Sequence, residues 1–191
     1  MLLMSRTTDF DREEIISKAM HVFWTKGYEG TSLKDLTEAT GLLKGSLYNS
    51  FQSKENLYVL CMEKYGNHSR SFFYKEGDPK LYLKSFFKRL VSEGSRPENI
   101  SGCLVMNSCL ELASSNNAGA EASKALFEAV EMNFENVVNL IIRDTDKNAQ
   151  ECKTNLITAA FSIREISKFK KDKKFLKQIA NNALKSLDLS I

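Results

Sequence analysis

The chain has 191 residues, with 27 Lys and Arg against 24 Asp and Glu, only two Pro and nine Gly. That length can bury a real core as one or two compact units, and the dominance of Leu, Lys, Glu, Ala and Ser over helix breakers favours helix throughout. The net charge of +3 identifies no nucleic-acid binder, and residues 1–65 carry eight bases against nine acids, so any such case rests on where the charges sit.

The first helix is expected over about residues 11–26. Asp11 and Glu14 form a capping pair and Phe10 can staple onto Ile15. Ile15, Ala19, Val22 and Phe23 make an apolar stripe that Gly27 closes in a left-handed cap. Residues 32–51, SLKDLTEATGLLKGSLYNSF, read as two short helices around a turn at Gly41. Ser32 and Asp35 open the first like a capping box, and Leu33, Leu36 and Ala39 give it one apolar face. Leu43, Leu47 and Phe51 define the buried face of the second. Opposite them stand Gly45 and Asn49, flanked by Ser46, Tyr48 and Gln52, with Lys44 to one side. A helical glycine costs about 1 kcal/mol relative to alanine, and close backbone approach to a ligand is a reason to keep one on an outer face. Small, hydroxyl, amide and cationic groups suit phosphates and base edges, and two helices around a tight turn are how a small protein sets a helix in the major groove.

A fourth helix starts after the N-cap Ser53 and runs to about residue 74, with Leu57, Leu60, Cys61 and Tyr65 inward. Asp78 as N-cap and Pro79 at N1 begin the fifth, about 79–93, which presents Leu83, Phe86, Phe87 and Leu90. A short apolar sixth covers about 103–113. A long seventh, about 120–143, carries Ala125, Val130, Phe134, Val137 and Ile141. The eighth, about 149–168, shows Leu156, Ala159, Ala160 and Ile163, and the ninth, about 173–187, shows Leu176, Ile179, Ala183 and Leu187. No β pattern or internal repeat appears, so the expected architecture is all-α with about nine helices. The basic run at 167–174 lies between two helices and reads as a solvated connection.

Phe23 to Tyr28 (FWTKGY), Thr31-Ser32, Asp35-Leu36, Gly41, Lys44-Gly45-Ser46-Leu47-Tyr48, Phe51 and Ser53-Lys54-Glu55 follow in an order and spacing that resembles the TetR/AcrR family of bacterial transcription regulators, over about a third of the chain. Two positions depart from its pattern. Leu43 stands where a small or hydroxyl residue often opens the recognition helix, and Asn49 where histidine or another aromatic is common. The resemblance implies a DNA-binding domain over 9–67, with its helix-turn-helix at 32–51, and an effector-binding and dimerisation domain over 68–191.

By the same resemblance, Tyr48 would donate its phenol to a phosphate and Lys54 would reach another from the next helix start. Thr31 and Ser32 would do so at the start of helix two. Lys44, Ser46 and Asn49 become candidate base readers, Gly45 permits close approach, Leu43 could touch a thymine methyl, and Arg6 in the N-terminal arm is a candidate for the minor groove.

Residues 102–113, GCLVMNSCLELA, resemble a branch of the family with Gly-Cys-Leu opening the sixth helix. That helix would lie beside an effector cavity, for which Phe86, Leu90, Cys103, Met106, Phe127 and Phe161 are the candidate lining. Cys103 near a helix N-terminus is a candidate sensor of oxidants or electrophiles, because the dipole there lowers a thiol pKa; simple packing is the competing reading. The stripes of the last two helices (Leu156, Ala159, Ala160 and Ile163 with Leu176, Ile179, Ala183 and Leu187) are the expected dimer interface, a four-helix bundle about a two-fold axis.

The leading expectation is a homodimeric repressor released from double-stranded operator DNA by a small apolar or reactive effector. The alternative is a regulator switched by redox or electrophile chemistry at Cys103 without a reversible ligand. A helical enzyme is a distant third, since no paired carboxylates, nucleophile-base set or phosphate loop stands at usable spacing. No cofactor or metal is expected, because Cys61, Cys103, Cys109 and Cys152 form no CxxC pair and no ligand spacing with His21 or His68. The opening Met-Leu-Leu-Met is too short for a signal-peptide core, so reduced thiols and a cytoplasmic location are expected.

Overall fold

The computed structural model describes residues 11–98 and 102–191. Arg6 and Phe10, cited above for a minor-groove arm and a staple, lie outside the described residues. Within them the chain forms nine α-helices and no strand: α1 (Arg12–Lys26), α2 (Leu33–Thr40), α3 (Lys44–Phe51), α4 (Lys54–Arg70), α5 (Pro79–Gly94), α6 (Leu104–Glu111), α7 (Ala118–Ile142), α8 (Ala149–Ile166) and α9 (Lys173–Leu184), the last followed by a 3-10 turn. Polar N-caps set most of the starts: Asp11, Ser32, Ser53, Asp78, Asn117, Asn148 and Asp172 each accept backbone N–H groups of the first turn. Ser32 and Asp35 form the full reciprocal box, and Gly41 closes α2 in the left-handed region. No described helix is long and apolar enough to cross a membrane.

Several local expectations are corrected. Ala39 is exposed, and Thr40 is buried in its place, its hydroxyl donating to the Leu36 carbonyl at 2.6 Å. The inner stripe of α2 is therefore Leu36 and Thr40, one turn apart. Leu43 is 80% exposed because it is the extended N-cap of α3 rather than part of its helical face. In α7 Ala125 is exposed and Leu126 takes the inner place. α4 ends at Arg70 rather than near Tyr74, since the chain turns off axis and the Tyr74 N–H donates to Asn133 on α7 at 2.9 Å. Gly27 has a positive φ of 79°, yet its ψ of 171° is extended, so it is not the left-handed helical cap expected of it.

One continuous apolar core runs from α1 to α9. α4 packs on α1 at one side and on α7 at the other; α7 carries α6 and α8, and α5 closes against α8 and α9. Tyr58 of α4 is the hub. Its ring lies 5.0 Å edge-on to Phe23 and 4.9 Å from Tyr28, and its hydroxyl donates to Ser108 on α6. The expected boundary between residues 67 and 68 thus falls inside α4, whose two sides serve both halves.

The expected dimer stripes are also corrected. Leu156, Ala159, Ala160, Ile163, Leu176, Ala183 and Leu187 are all buried within the single chain, leaving only Ile179 partly exposed. α8 and α9 turn these residues against each other and against α5, so they are the protomer's own core and have no surface left for a partner.

Candidate nucleic-acid interface and ligand cavity

α3 is anchored from within and bare outside. Leu47 and Phe51 are buried, and the helix packs on α2 and α4. Arg12 of α1 fixes its far end, donating to the Ser50 carbonyl at 2.8 Å with its guanidinium 4.6 Å over the Phe51 ring. Gln52 then turns the chain through φ 65°, ψ −50°, with Ser53 N–H donating to the Phe51 carbonyl at 2.7 Å. That is a γ-turn of the rare, strained hand. Lys44, Gly45, Tyr48 and Asn49 are exposed, Ser46 is half-buried, and a Cβ built on Gly45 would meet no atom within 4 Å. No side chain caps the α3 N-terminus, so its first-turn N–H groups face solvent with the positive end of the helix dipole. A flat donor-rich surface of this kind can meet phosphates and base edges.

The remaining expected contacts divide. Thr31 is 1% exposed; its hydroxyl donates to the Gly27 carbonyl and its N–H to the Tyr28 carbonyl, so it has nothing left for a phosphate. Ser32 is exposed, but its hydroxyl is spent in the box with Asp35. Lys54 does not extend into solvent. Its ammonium donates to the carbonyls of Tyr28 at 2.9 Å and Thr31 at 3.1 Å and lies 4.3 Å over the Tyr28 ring. Thr31 and Lys54 therefore build the turn that carries α2, rather than the outer surface.

The same turn is held from its other side by a residue for which no role was expected. Glu111, the last residue of α6, accepts the N–H groups of Tyr28 and Glu29 through its two carboxylate oxygens, both at 2.8 Å. A Cβ on Gly27 would stand 2.7 Å from that carboxylate, which accounts for the glycine and its unusual ψ. An acid at a helix C-terminus opposes the dipole, and this cost to a local rule marks a site where another contact decides the residue. Asp35, which opens α2, is held well below the ordinary carboxylate range by the hydrogen bond from Lys26 and then by those from Ser32.

Behind this assembly lies a cavity of about 210 Å3. Three of the six expected lining residues border it: Phe86, Cys103 and Phe161. Leu90 is packed into the core, Met106 does not reach it, and Phe127 stacks on Phe161 at 5.4 Å from outside, beside a more open groove under α7. Cys103 is the N-cap of α6 and buried, its Sγ 3.8 Å from the Tyr65 hydroxyl. Trp24, Tyr65, Arg89 and Arg164, none of them expected there, belong to the polar part of the wall together with Glu93 and Asn133. A guanidinium at position 164, on the inner stripe of α8 between Phe161 and Ile163 on one side and Ser167 on the other, was the visible signal.

Residues 15–61 match the family model of bacterial regulatory proteins of the tetR family. Over 109 residues the chain is 34% identical to the HTH-type transcriptional repressor ComR of Escherichia coli, 54% of this chain and 52% of that protein. The whole fold matches the TetR-family transcriptional regulator CifR, a cysteine-substituted form bound to 26-bp operator DNA, with a TM-score of 0.80, 26% identity, and 95% of this chain and 98% of that one covered. Residues 15–61 are thus a TetR-family DNA-binding segment, set in a chain whose whole fold is that of a TetR regulator. A TetR regulator from Chloroflexus aurantiacus shares the fold at a TM-score of 0.80 and 20% identity, covering 94% of each chain. An uncharacterised HTH-type regulator of Bacillus subtilis, YezE, is 31% identical over 112 residues, 56% of this chain and 58% of that one. The chain's sequence matches thus span about half the length of these curated relatives, both HTH-type regulators by name, while the fold matches span nearly the whole of theirs.

Proposed function

We infer that this protein is a homodimeric transcriptional repressor that sets α3 in the major groove of an operator and loosens its hold when a small molecule enters the cavity. The observation that carries this reading is α3 itself, rigidly backed by Leu47, Phe51 and Arg12 while Lys44, Gly45, Tyr48 and Asn49 stand free outside. The printed functions of ComR, a repressor, and CifR, bound to operator DNA, support it. In this reading Tyr48 and the α3 N-terminal amides take phosphates, Lys44, Ser46 and Asn49 read bases, and Leu43 meets a thymine methyl. Residues up to about 67 form the DNA-binding unit and the rest the effector and dimer unit. Its workplace is the cytoplasm, where DNA and reduced thiols meet, and no chemistry beyond binding is required of it.

The dimer is formed by the outward faces of α8 and α9, where Thr154, Thr158, Gln178 and Asn182 are exposed. Two copies related by a two-fold axis present their recognition helices about one helical turn apart, about 34–36 Å. The cavity opens a path for the signal. α6 begins in its wall at Cys103 and ends at Glu111 on the α1–α2 turn, a lever about 12 Å long. A ligand shifts DNA affinity only as far as its affinities for the two conformations differ, typically by about 1–3 kcal/mol. A second reading has its own support in the Cys103 thiol, which borders the cavity beside Tyr65: an electrophile that forms a bond to Sγ would press on the same lever.

Selection of bound duplexes from a random pool tests the function. Retained sequences should share a two-fold related motif with half-sites about 10–10.5 bp apart or a multiple of it; an unenriched pool would remove the repressor reading.

A further inference from the structure

The cavity holds two polar groups that the rest of the chain leaves unsatisfied. Trp24 Nε1 is buried and makes no hydrogen bond among the described residues. Arg164 borders the same space, and its guanidinium makes no hydrogen bond or ion pair among them. The neighbouring charges are accounted for otherwise. Glu165 accepts the Cys103 N–H at 2.9 Å and pairs with Lys168. Arg89 lies 3.7 Å over the Phe72 ring, with its Nε 3.8 Å from the Glu93 carboxylate. Trp24 and Arg164 belong to one connected wall: the Trp24 ring stands edge-on to Tyr65 at 5.2 Å, and Tyr65, Cys103, Glu93 and Glu165 are the groups whose electrostatics bear on Arg164, the two carboxylates at longer range than a hydrogen bond.

Burying a donor or a cation without a partner is costly unless a ligand or water supplies the acceptor. Two N–H donor groups, one of them cationic, ask for an acceptor that carries charge, and the planar guanidinium fork fits a carboxylate best. The same cavity has aromatic walls: Phe86 and Phe134 meet edge to face at 5.4 Å, and Phe161 also lines it. Space is limited. At about 210 Å3 the cavity falls below the roughly 300–1,000 Å3 of sites that take drug-sized ligands, which suits a single-ring molecule.

We propose that the effector of this protein is a small monocyclic carboxylate, held by Arg164 through its carboxylate and by Phe86, Phe134 and Phe161 through its ring, with the Trp24 indole N–H as the second donor. The idea rests on the repressor reading for its biological purpose. Occupancy ties α8 to α1 and to the N-cap of α6 at once, which is where the lever to the α1–α2 turn begins. It also places Arg164 as the residue that selects charge, since a neutral ring of the same shape leaves the guanidinium unpaired.

Trp24 is the only tryptophan of the chain, so its fluorescence reports the cavity directly. The full-length protein, without DNA, is titrated with benzoate and with benzamide, its neutral counterpart of equal size. Benzoate should change Trp24 emission saturably and bind about tenfold or more tightly than benzamide. Arg164→Gln should abolish that preference, and Arg164→Lys should keep it at weaker affinity. Equal binding of the two probes, no saturable response to benzoate, phenylacetate or cyclohexanecarboxylate up to roughly 10 mM, or unchanged benzoate affinity in Arg164→Gln would overturn the proposal. The comparison of two probes on the unaltered chain stands even if a variant fails to fold. Because DNA is absent, failure of the repressor reading in the duplex selection would leave this result untouched.

Discussion

Glu111 and Tyr28, 83 positions apart in the chain, meet at 2.8 Å, the carboxylate at the end of α6 accepting the backbone N–H just past α1. Its other oxygen accepts the next N–H, and from the opposite side Lys54 donates to the Tyr28 and Thr31 carbonyls. The turn between α1 and α2 is therefore gripped by an anion at its donors and a cation at its acceptors. Only the anion comes from beyond residue 67, from the helix whose N-cap Cys103 borders the cavity, and in the proposed function this contact carries the effector signal to the DNA-reading helices.

Glu111→Ala should lower stability by about 1–2 kcal/mol, the range for exposed hydrogen bonds to a charged group. Its larger effect should fall on coupling: operator affinity should lose most of its response to effector. Gly27→Ala should destabilise by more than about 1 kcal/mol, because φ is +79° and the new methyl meets the carboxylate. Urea unfolding, with operator titrations with and without effector, checks both. A Glu111→Ala protein that still responds fully to its effector would break the lever.

Lys54→Ala distinguishes a turn-building lysine from a phosphate-binding one. Stability should drop by about 1–2 kcal/mol as two carbonyls lose their donor. The dependence of operator affinity on salt should hardly change. A log–log slope shallower by about 0.9 for each protomer's contact would restore the phosphate role that the structure takes from this residue.

Acid sensitivity follows from Asp35. Its folded carboxyl titrates well below the usual range through the hydrogen bonds from Lys26 and Ser32, so the unfolded chain takes up that proton first as pH falls. The stabilisation is complete above the unfolded pKa, about 3.9, and is lost as pH drops through the lower folded value. Thermal melts of the wild type and Asp35→Asn should differ by a constant amount from neutral pH to about 5 and converge below about 4. A gap that does not change with pH would show that the charge of Asp35 has no part in it.

Thr158→Arg should leave the fold intact, since the side chain is exposed, and give a monomer by sedimentation with much weaker operator binding. A dimer of unchanged affinity would place the interface elsewhere.

What the sequence conveyed was local. Caps at Asp11, Ser53 and Asp78, and the box at Ser32 and Asp35, are written within four residues and formed as read. The outer face of α3 was equally legible, because Leu47 and Phe51 leave only one direction for Gly45 and Asn49. The misreadings arose where partners come from far away. A stripe such as Leu156 to Ile163 says that a helix face is buried but not by what, and α5 and α9 covered it before any second copy could. Lys54 read as a phosphate-binding cation, whereas the fold brings the Tyr28 and Thr31 carbonyls beneath it. Glu111 and Arg164 did leave a trace, each breaking a local rule: an acid at a helix end, and a charge on an inner face. One borders the cavity and the other holds the α1–α2 turn.

The central claim is that the outer face of α3 reads base sequence while Tyr48 holds the backbone. One measurement decides it: sequencing the duplexes retained from a random pool by the wild type, Asn49→Ala and Tyr48→Phe side by side. Asn49→Ala should relax or change the preference at one position in each half-site, at a cost of about 1–3 kcal/mol there. Tyr48→Phe should weaken retention of all sequences alike and keep the motif. A motif altered by Tyr48→Phe and untouched by Asn49→Ala would contradict the assignment.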